Sequence, residues 1–191
     1  MTTGPISMKR IAELDVSALN PEQAHVHAAI SAGPRGGVRG PLAVWLHRPK
    51  LATHAQALGQ YCRYETCLPA RLSELAIIVT GAIWQSAYEW EAHAPLALQA
   101  GIAPEIVDAI RDGAVPSFTA RDEQVVHDFV SALHRERAVS DALYAHAVEV
   151  LGQDAVIDLV GLAGYYTLIS MTINVFGVEP KQPVTFGGDR S

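Results

Sequence analysis

The sequence predicts an all-α fold, a single-domain helical bundle, from three observations. Helix-start signals recur: Asn20-Pro21, Pro49, Pro69, Pro104 and Ser140-Asp141 each precede apolar residues at helical spacing. Strand signals are nearly absent. The chain has 191 residues, 49% hydrophobic and 18% charged, enough apolar matter for one buried core and too much for a disordered chain.

Taken in order, Asn20-Pro21-Glu22-Gln23 reads as an N-cap, a proline at the first helical position and an acidic first turn, opening a helix to about residue 31. Residues 32–40 hold five Gly or Pro residues and form a loop. Residues 41–47 form one short turn, and Pro49 opens a helix to about Thr66. The next begins at Pro69, with Leu72, Leu75, Ala76, Val79, Ala82 and Ile83 on the helical period. A separate helix spans about Ser86–Ala100 and stops at Gly101, and a short one runs from Pro104 to about Arg111. Thr119 with Asp122 reads as a variant capping box for a helix to about Arg137, Ser140 caps 141–151, and a last helix covers about 154–176. The organisation expected is an N-terminal arm (1–19), one helical domain (20–176) and a C-terminal tail (177–191), extended or disordered.

Charge and cysteine content exclude several classes of function. A formal net charge of −6 argues against a general nucleic-acid binder. Residues 1–11 contain no secretory signal pattern, and no apolar run reaches about 18 residues, so a soluble, cytoplasmic protein without a membrane partner is expected. The only cysteines, Cys62 and Cys67, lie five apart and point about 140° apart on a helix. That is neither a Cys-x-x-Cys site nor a disulfide, and both read as small buried residues in a reducing compartment. No metal-ligand pattern, phosphate loop or dinucleotide fingerprint occurs, and neither metal nor cofactor is expected.

The densest polar chemistry lies in Ser86-Ala-Tyr88-Glu89-Trp90-Glu-Ala-His93. On a helix, Ser86, Glu89 and His93 share one face, with Trp90 at its edge beside an apolar stripe. A carboxylate one turn from an imidazole makes an acid–base pair: the carboxylate favours the protonated ring, and burial raises the carboxylate's own pKa. Glu74 sits on an apolar-rich helix, either solvated at its N-terminus or buried with a partner, and Arg71 is the local candidate partner. Trp45 follows the glycine-rich loop, at a pocket mouth or in the core, and of the adjacent Tyr165 and Tyr166 only one is expected to face any given site.

These residues also carry a resemblance. Arg71-Leu-Ser-Glu74-Leu-Ala-Ile, Tyr88-Glu-Trp-Glu-Ala-His93-Ala-Pro-Leu-Ala with Gly101, Gly40-Pro-Leu-Ala-Val-Trp45-Leu-His47 and Gly164-Tyr-Tyr-Thr-Leu resemble the carboxymuconolactone decarboxylase family. That family shares a superfamily with the alkyl hydroperoxidase D-like proteins, and the likeness covers about residues 41–176. It implies a helical bundle of that type, assembled as a homotrimer or homohexamer. The active site it implies surrounds a glutamate and, in the peroxidase branch, a Cys-x-x-Cys-x-x-x-His segment. The family histidine falls on His93 and the upstream glutamate on Glu74, while Ser86 and Glu89 occupy the two cysteine positions. Neither residue type can form a sulfenic acid or disulfide, so dithiol peroxide reduction is disfavoured.

The function expected is therefore that of a cofactor-independent lyase or isomerase of the decarboxylase type. It would act by proton transfer on a small organic acid or lactone, with His93, Glu89 and Glu74 as the acid–base group. Ser86, Tyr88, Trp90, Arg71 and Trp45 are the expected substrate contacts. A peroxidase and a non-catalytic family member are the alternatives; the latter predicts that the three acid–base side chains point to separate faces.

Overall fold

The structure, a computed structural model, describes residues 9–187. No β-strand occurs among them. Helix α1 (Pro21–Ala32) begins at the expected box: Asn20 Oδ1 accepts from Gln23 N at 2.9 Å, and Gln23 Oε1 accepts from Asn20 N at 3.0 Å. Short α2 (Pro41–Trp45) and long α3 (Pro49–Tyr64) both start on a proline. α3 ends before Thr66, so Cys67 lies beyond the helix and is exposed; the expectation that both cysteines are buried holds only for Cys62.

Helix α4 (Ala70–Ile83) is the axis of the bundle, packing against α5 (Ala87–Gln99) and three later helices. Six consecutive residues, Leu75 to Thr80, are buried on every side, as a fully enclosed helix requires. α6 (Pro104–Arg111) is amphipathic and buries Ile106, Val107 and Ile110. α7 (Arg121–Arg135) starts two residues after Thr119. Its N-cap is Ala120 without a side-chain cap, so the expected Thr119–Asp122 box does not form; Asp122 instead binds Arg71 and the Glu123 N–H. Ser140 does cap α8 (Asp141–Leu151), accepting from Leu143 N at 3.2 Å.

Helix α9 (Gln153–Phe176) packs on α3, α4, α7 and α8. By length and composition it could cross a membrane, but 61% of its most apolar window is buried inside the bundle. Asp158 joins it to the end of α3: Tyr61 Oη donates to Oδ1 at 2.6 Å, and the Cys67 N–H donates to Oδ2 at 2.8 Å.

The segments flanking the helices are docked on the bundle. Arg10 N donates to the Phe176 carbonyl, and His47 contacts the Ala12 carbonyl. The C-terminal segment 177–187 folds back along α5, with Val178, Val184 and Phe186 packed on the core. Three apolar side chains in that segment gain burial by this packed course. The remainder of the expected arm (1–8) and tail (188–191) lies outside the described residues.

One close approach sets the spacing of α3 and α9. A Cβ at Gly59 would stand 2.1 Å from Tyr165 Oη and 2.5 Å from an Arg35 guanidinium nitrogen. Gly59→Ala is therefore expected to displace both side chains and destabilise the protein by about 1–3 kcal/mol. A lowered urea midpoint at unchanged slope is the expected reading.

Candidate active site

α4 and α5 cross with their polar residues facing each other. Gln85 takes a left-handed conformation in the connecting turn, and α5 then starts at Ala87. From α4, Glu74 Oε2 stands 2.7 Å from His93 Nδ1; from α5, Glu89 Oε2 stands 3.4 Å from His93 Nε2. Each imidazole nitrogen thus faces a carboxyl group. A hydrogen bond from Nδ1–H to Glu74 leaves Nε2 as the nitrogen that exchanges a proton with Glu89.

Both His93 and Glu89 are buried, at 3% and 5% exposure. Burial pushes the Glu89 carboxyl above its ordinary value, against the opposing pull of His93 and of Arg63 and Arg35. Glu89 Oε2 has no hydrogen-bond partner other than the long contact with the imidazole. The arrangement lines up Glu74, His93 and Glu89 so that a proton can pass between them, with a carboxyl group at one end that resists ionisation.

The cluster opens into a cavity of about 560 Å³. Glu89 and His93 are on its wall, while Glu74 stands behind the imidazole and orients it. Tyr165 and Tyr166 both line it, correcting the expectation that only one would face a site. The two rings meet at 90° with centroids 5.4 Å apart, so they line adjoining parts of one wide wall. Tyr166 also packs edge-on against His93 at 5.2 Å. Burial pushes the Tyr165 phenol up to about 12 and the Tyr166 phenol well above its ordinary value, so both remain neutral hydrogen-bond donors. Tyr165 Oη accepts from Arg35 at 3.2 Å, whereas Tyr166 Oη is buried without a partner.

Four cations complete the wall: Arg35, Arg39, Arg63 and Lys181. Among the described residues none of them forms an ion pair with a carboxylate, while Lys9, Arg71, Arg111 and Arg121 all do. The protein is acidic overall, yet four cations without an ion-pair partner meet at this one cavity. Sequence reasoning missed all four because they come from a loop, a helix end and the C-terminal segment. A usable signal existed: none of the four has an acidic residue three or four positions away in the sequence.

The expected substrate contacts divide. Tyr88 is on the cavity wall, half-buried, its ring filling the space over Gly40 where a Cβ would come within 2.6 Å. Ser86 is fully buried before the first turn of α5, its extended backbone taking it off the helical face assumed for it. Trp90 packs against Phe186 in the core. Trp45 donates to Thr172 Oγ1 at 3.0 Å and braces Tyr165 edge-on, one layer behind the cavity. Arg71 binds Asp122 at 2.6 Å and also Glu123, two carboxylates on α7, so it ties α4 to α7 and does not pair with Glu74. Among the described residues, no group of three or more His, Cys, Asp or Glu side chains is placed to hold a metal ion.

Comparison with known proteins agrees with this architecture. Residues 49–127 match the carboxymuconolactone decarboxylase family. That segment runs from the start of α3 into α7 and contains Glu74, Glu89 and His93. No curated protein matches the chain. Among solved structures, the chain resembles an alkylhydroperoxidase AhpD core, an uncharacterized peroxidase-related protein from Ralstonia eutropha JMP134. The TM-score is 0.73 at 18% identity, over 91% of this chain and 92% of that one. An uncharacterized peroxidase-related protein from Silicibacter sp. TM1040 gives a TM-score of 0.72 at 16% identity, covering 95% and 97%. The fold is thus the AhpD-like helical bundle over nearly the whole chain.

The raised Glu89 carboxyl has a thermodynamic consequence. The folded chain binds that proton more tightly than the unfolded chain, so the associated stability is full below the ordinary value of 4.5 and is lost as pH rises through the folded value. Glu89→Gln keeps the shape and cannot ionise. Its melting temperature is expected to gain on that of the wild type over the range in which pH rises above the ordinary value of 4.5. A margin that stays flat across that range would contradict a buried, proton-retaining Glu89.

Proposed function

We propose that the protein is a cofactor-independent lyase or isomerase of the carboxymuconolactone decarboxylase type, moving a proton on a small organic acid or lactone. The observation behind this reading is the Glu74–His93–Glu89 cluster, with His93 and Glu89 buried, opening onto a cavity lined by four unpaired cations. The cations suit an acid group on the substrate. In a decarboxylation, the bond between the substrate's carboxyl carbon and its neighbour breaks, carbon dioxide leaves uncharged, and the electron pair passes into the conjugated system. Tyr166, whose buried hydroxyl has no hydrogen-bond partner, would donate to the oxygen that gains charge in this reading. The proton that ends on carbon comes from Glu89 or from His93 Nε2, and solvent restores it. Each positioned group of this kind contributes roughly 10²–10⁴-fold.

A peroxidase, as the names of the structural neighbours suggest for those proteins, finds less support here as a thiol enzyme. Burial pushes the Cys62 thiol to about 11, and a hydrogen bond with Asp158 raises that of Cys67. Neither is on the cavity wall, and a thiolate is the form that attacks peroxide. The convergence of the three acid–base side chains likewise weighs against the non-catalytic alternative.

We also propose that the chain self-associates as a homotrimer or homohexamer, because α9 exposes Ile157, Val160, Met171 and Val175 along one side. Light scattering at micromolar concentration is expected to give an oligomer mass; a stable monomer would contradict this.

The reaction is tested on a panel of carboxylated lactones and unsaturated acids, followed by carbon dioxide release and ultraviolet absorbance. His93→Ala and Glu89→Gln are each expected to lower kcat by roughly 10²–10⁴-fold. The double Cys62→Ser, Cys67→Ser variant is expected to retain full turnover. Unchanged turnover in His93→Ala sinks the proposed chemistry, and hydroperoxide consumption abolished by the double cysteine variant would establish the peroxidase instead.

A further inference from the structure

The C-terminal segment 177–187 brings a cation to the cavity from outside the part of the chain that matches the family. Its course is held at several points. Val178 N donates to the Ile173 carbonyl, Phe186 stacks edge-on against Trp90 with centroids 5.6 Å apart, and Gly187 N donates to the Arg111 carbonyl at 3.1 Å. Gly187 lies so close to Asp112 that a Cβ there would come within 2.7 Å of its backbone. Between these anchors the segment crosses the cavity mouth, where Lys181 and Arg39 both line the wall.

Glu91 holds the crossing in place. It lies on α5, two residues from both Glu89 and His93, and it also lines the cavity. Its Oε2 accepts from Lys181 N at 2.8 Å and its Oε1 from Gln182 N at 2.7 Å. Each oxygen of this carboxylate therefore receives a backbone N–H. Charge-assisted bonds of this kind are short and about twice as strong as neutral ones. Two effects follow from one contact. The segment is pinned so that the Lys181 side chain serves the cavity, and the negative charge that Glu91 would present to an incoming anion is partly offset by the donors it already holds.

We infer that the C-terminal segment is a substrate-binding strap: Lys181 is a specificity-determining residue that receives an acid group of the substrate at the mouth, and Glu91 is the positioning residue that sets it there. The inference rests on the reading of the cavity as an anion site. The strap makes the outer half of that site, Lys181 with Arg39. Arg35 and Arg63, close enough to act electrostatically on Glu89, make the inner half.

The sign of the Glu91 effect tests the idea. By Coulomb attraction alone, removing a negative charge from the mouth strengthens the binding of an anion. If Glu91 acts by positioning Lys181, removing it weakens binding. The probes are succinate and inorganic phosphate, titrated calorimetrically at low ionic strength into the full chain. Lys181→Ala is expected to weaken binding by about fivefold to tenfold, and Lys181→Arg to restore most of it. Glu91→Gln is expected to weaken binding similarly, and the double variant to be no worse than Lys181→Ala, as befits two residues acting through one contact. Equal melting temperatures for all variants separate these losses from misfolding. A wild type that binds neither probe overturns the reading of the cavity and the strap with it. A wild type that binds, with Lys181→Ala unchanged, overturns the strap alone. A Glu91→Gln chain that binds as tightly as the wild type, or more tightly, overturns the positioning role of Glu91.

Discussion

An imidazole and a carboxyl group buried side by side in a helical bundle need the proton between them to be shared, because an isolated charge there would cost several kcal/mol. His93 meets that constraint by facing Glu74 with one nitrogen and Glu89 with the other. The rest of the site depends on it. α4 and α5 must cross closely enough for a residue of one to reach a residue of the other, and the α4–α5 turn spends a left-handed residue, Gln85, on that approach. The enclosed apolar surface of α4 supplies low-polarity surroundings that push the Glu89 carboxyl above its ordinary value.

Around this cluster the bundle leaves polar atoms unsatisfied. Among the described residues, five side chains have a buried polar atom without a hydrogen-bond partner; Glu89 (Oε2), Tyr166 and Arg35 line one cavity, while Ser86 and Ser170 do not. Unmade hydrogen bonds of buried groups cost about 1–3 kcal/mol each. A fold optimised only for stability would not gather three of them in one place, whereas a site that completes its hydrogen bonds with a ligand would. Gly59 belongs to the same arrangement, since only a residue without a side chain lets Tyr165 and Arg35 meet against α3.

Most of the fold was legible because helix boundaries follow from local chemistry. Asn20, Ser140 and the prolines at 21, 49 and 104 mark helix starts that need no distant partner. Thr119 misled because Asp122 had a stronger partner in Arg71, fifty-one residues earlier. The pair Glu89 and His93 was legible as one helical turn, and Glu74 through the family pattern. Trp45, Trp90, Ser86 and Arg71 were expected at the substrate but serve the core and the α4–α7 junction. Residue type and proximity in sequence do not tell the inner side of a wall from its outer side.

The sequence by itself determined that this chain is helical, that it carries Glu74, Glu89 and His93 in a pattern resembling the carboxymuconolactone decarboxylase family, and that Ser86 and Glu89 stand where that resemblance implies two thiols in the peroxidase branch. Those are properties of residue type and short-range spacing. Only the tertiary structure decided that Glu74 stands behind His93 and Glu89 before it, that both tyrosines face one cavity, and that cations from the glycine-rich loop, the end of α3 and the C-terminal segment surround it. The physical reason is separation along the chain. Contacts such as Arg35 with Tyr165 or Glu91 with Lys181 span 90 residues or more, and helix packing, not local periodicity, brings them together.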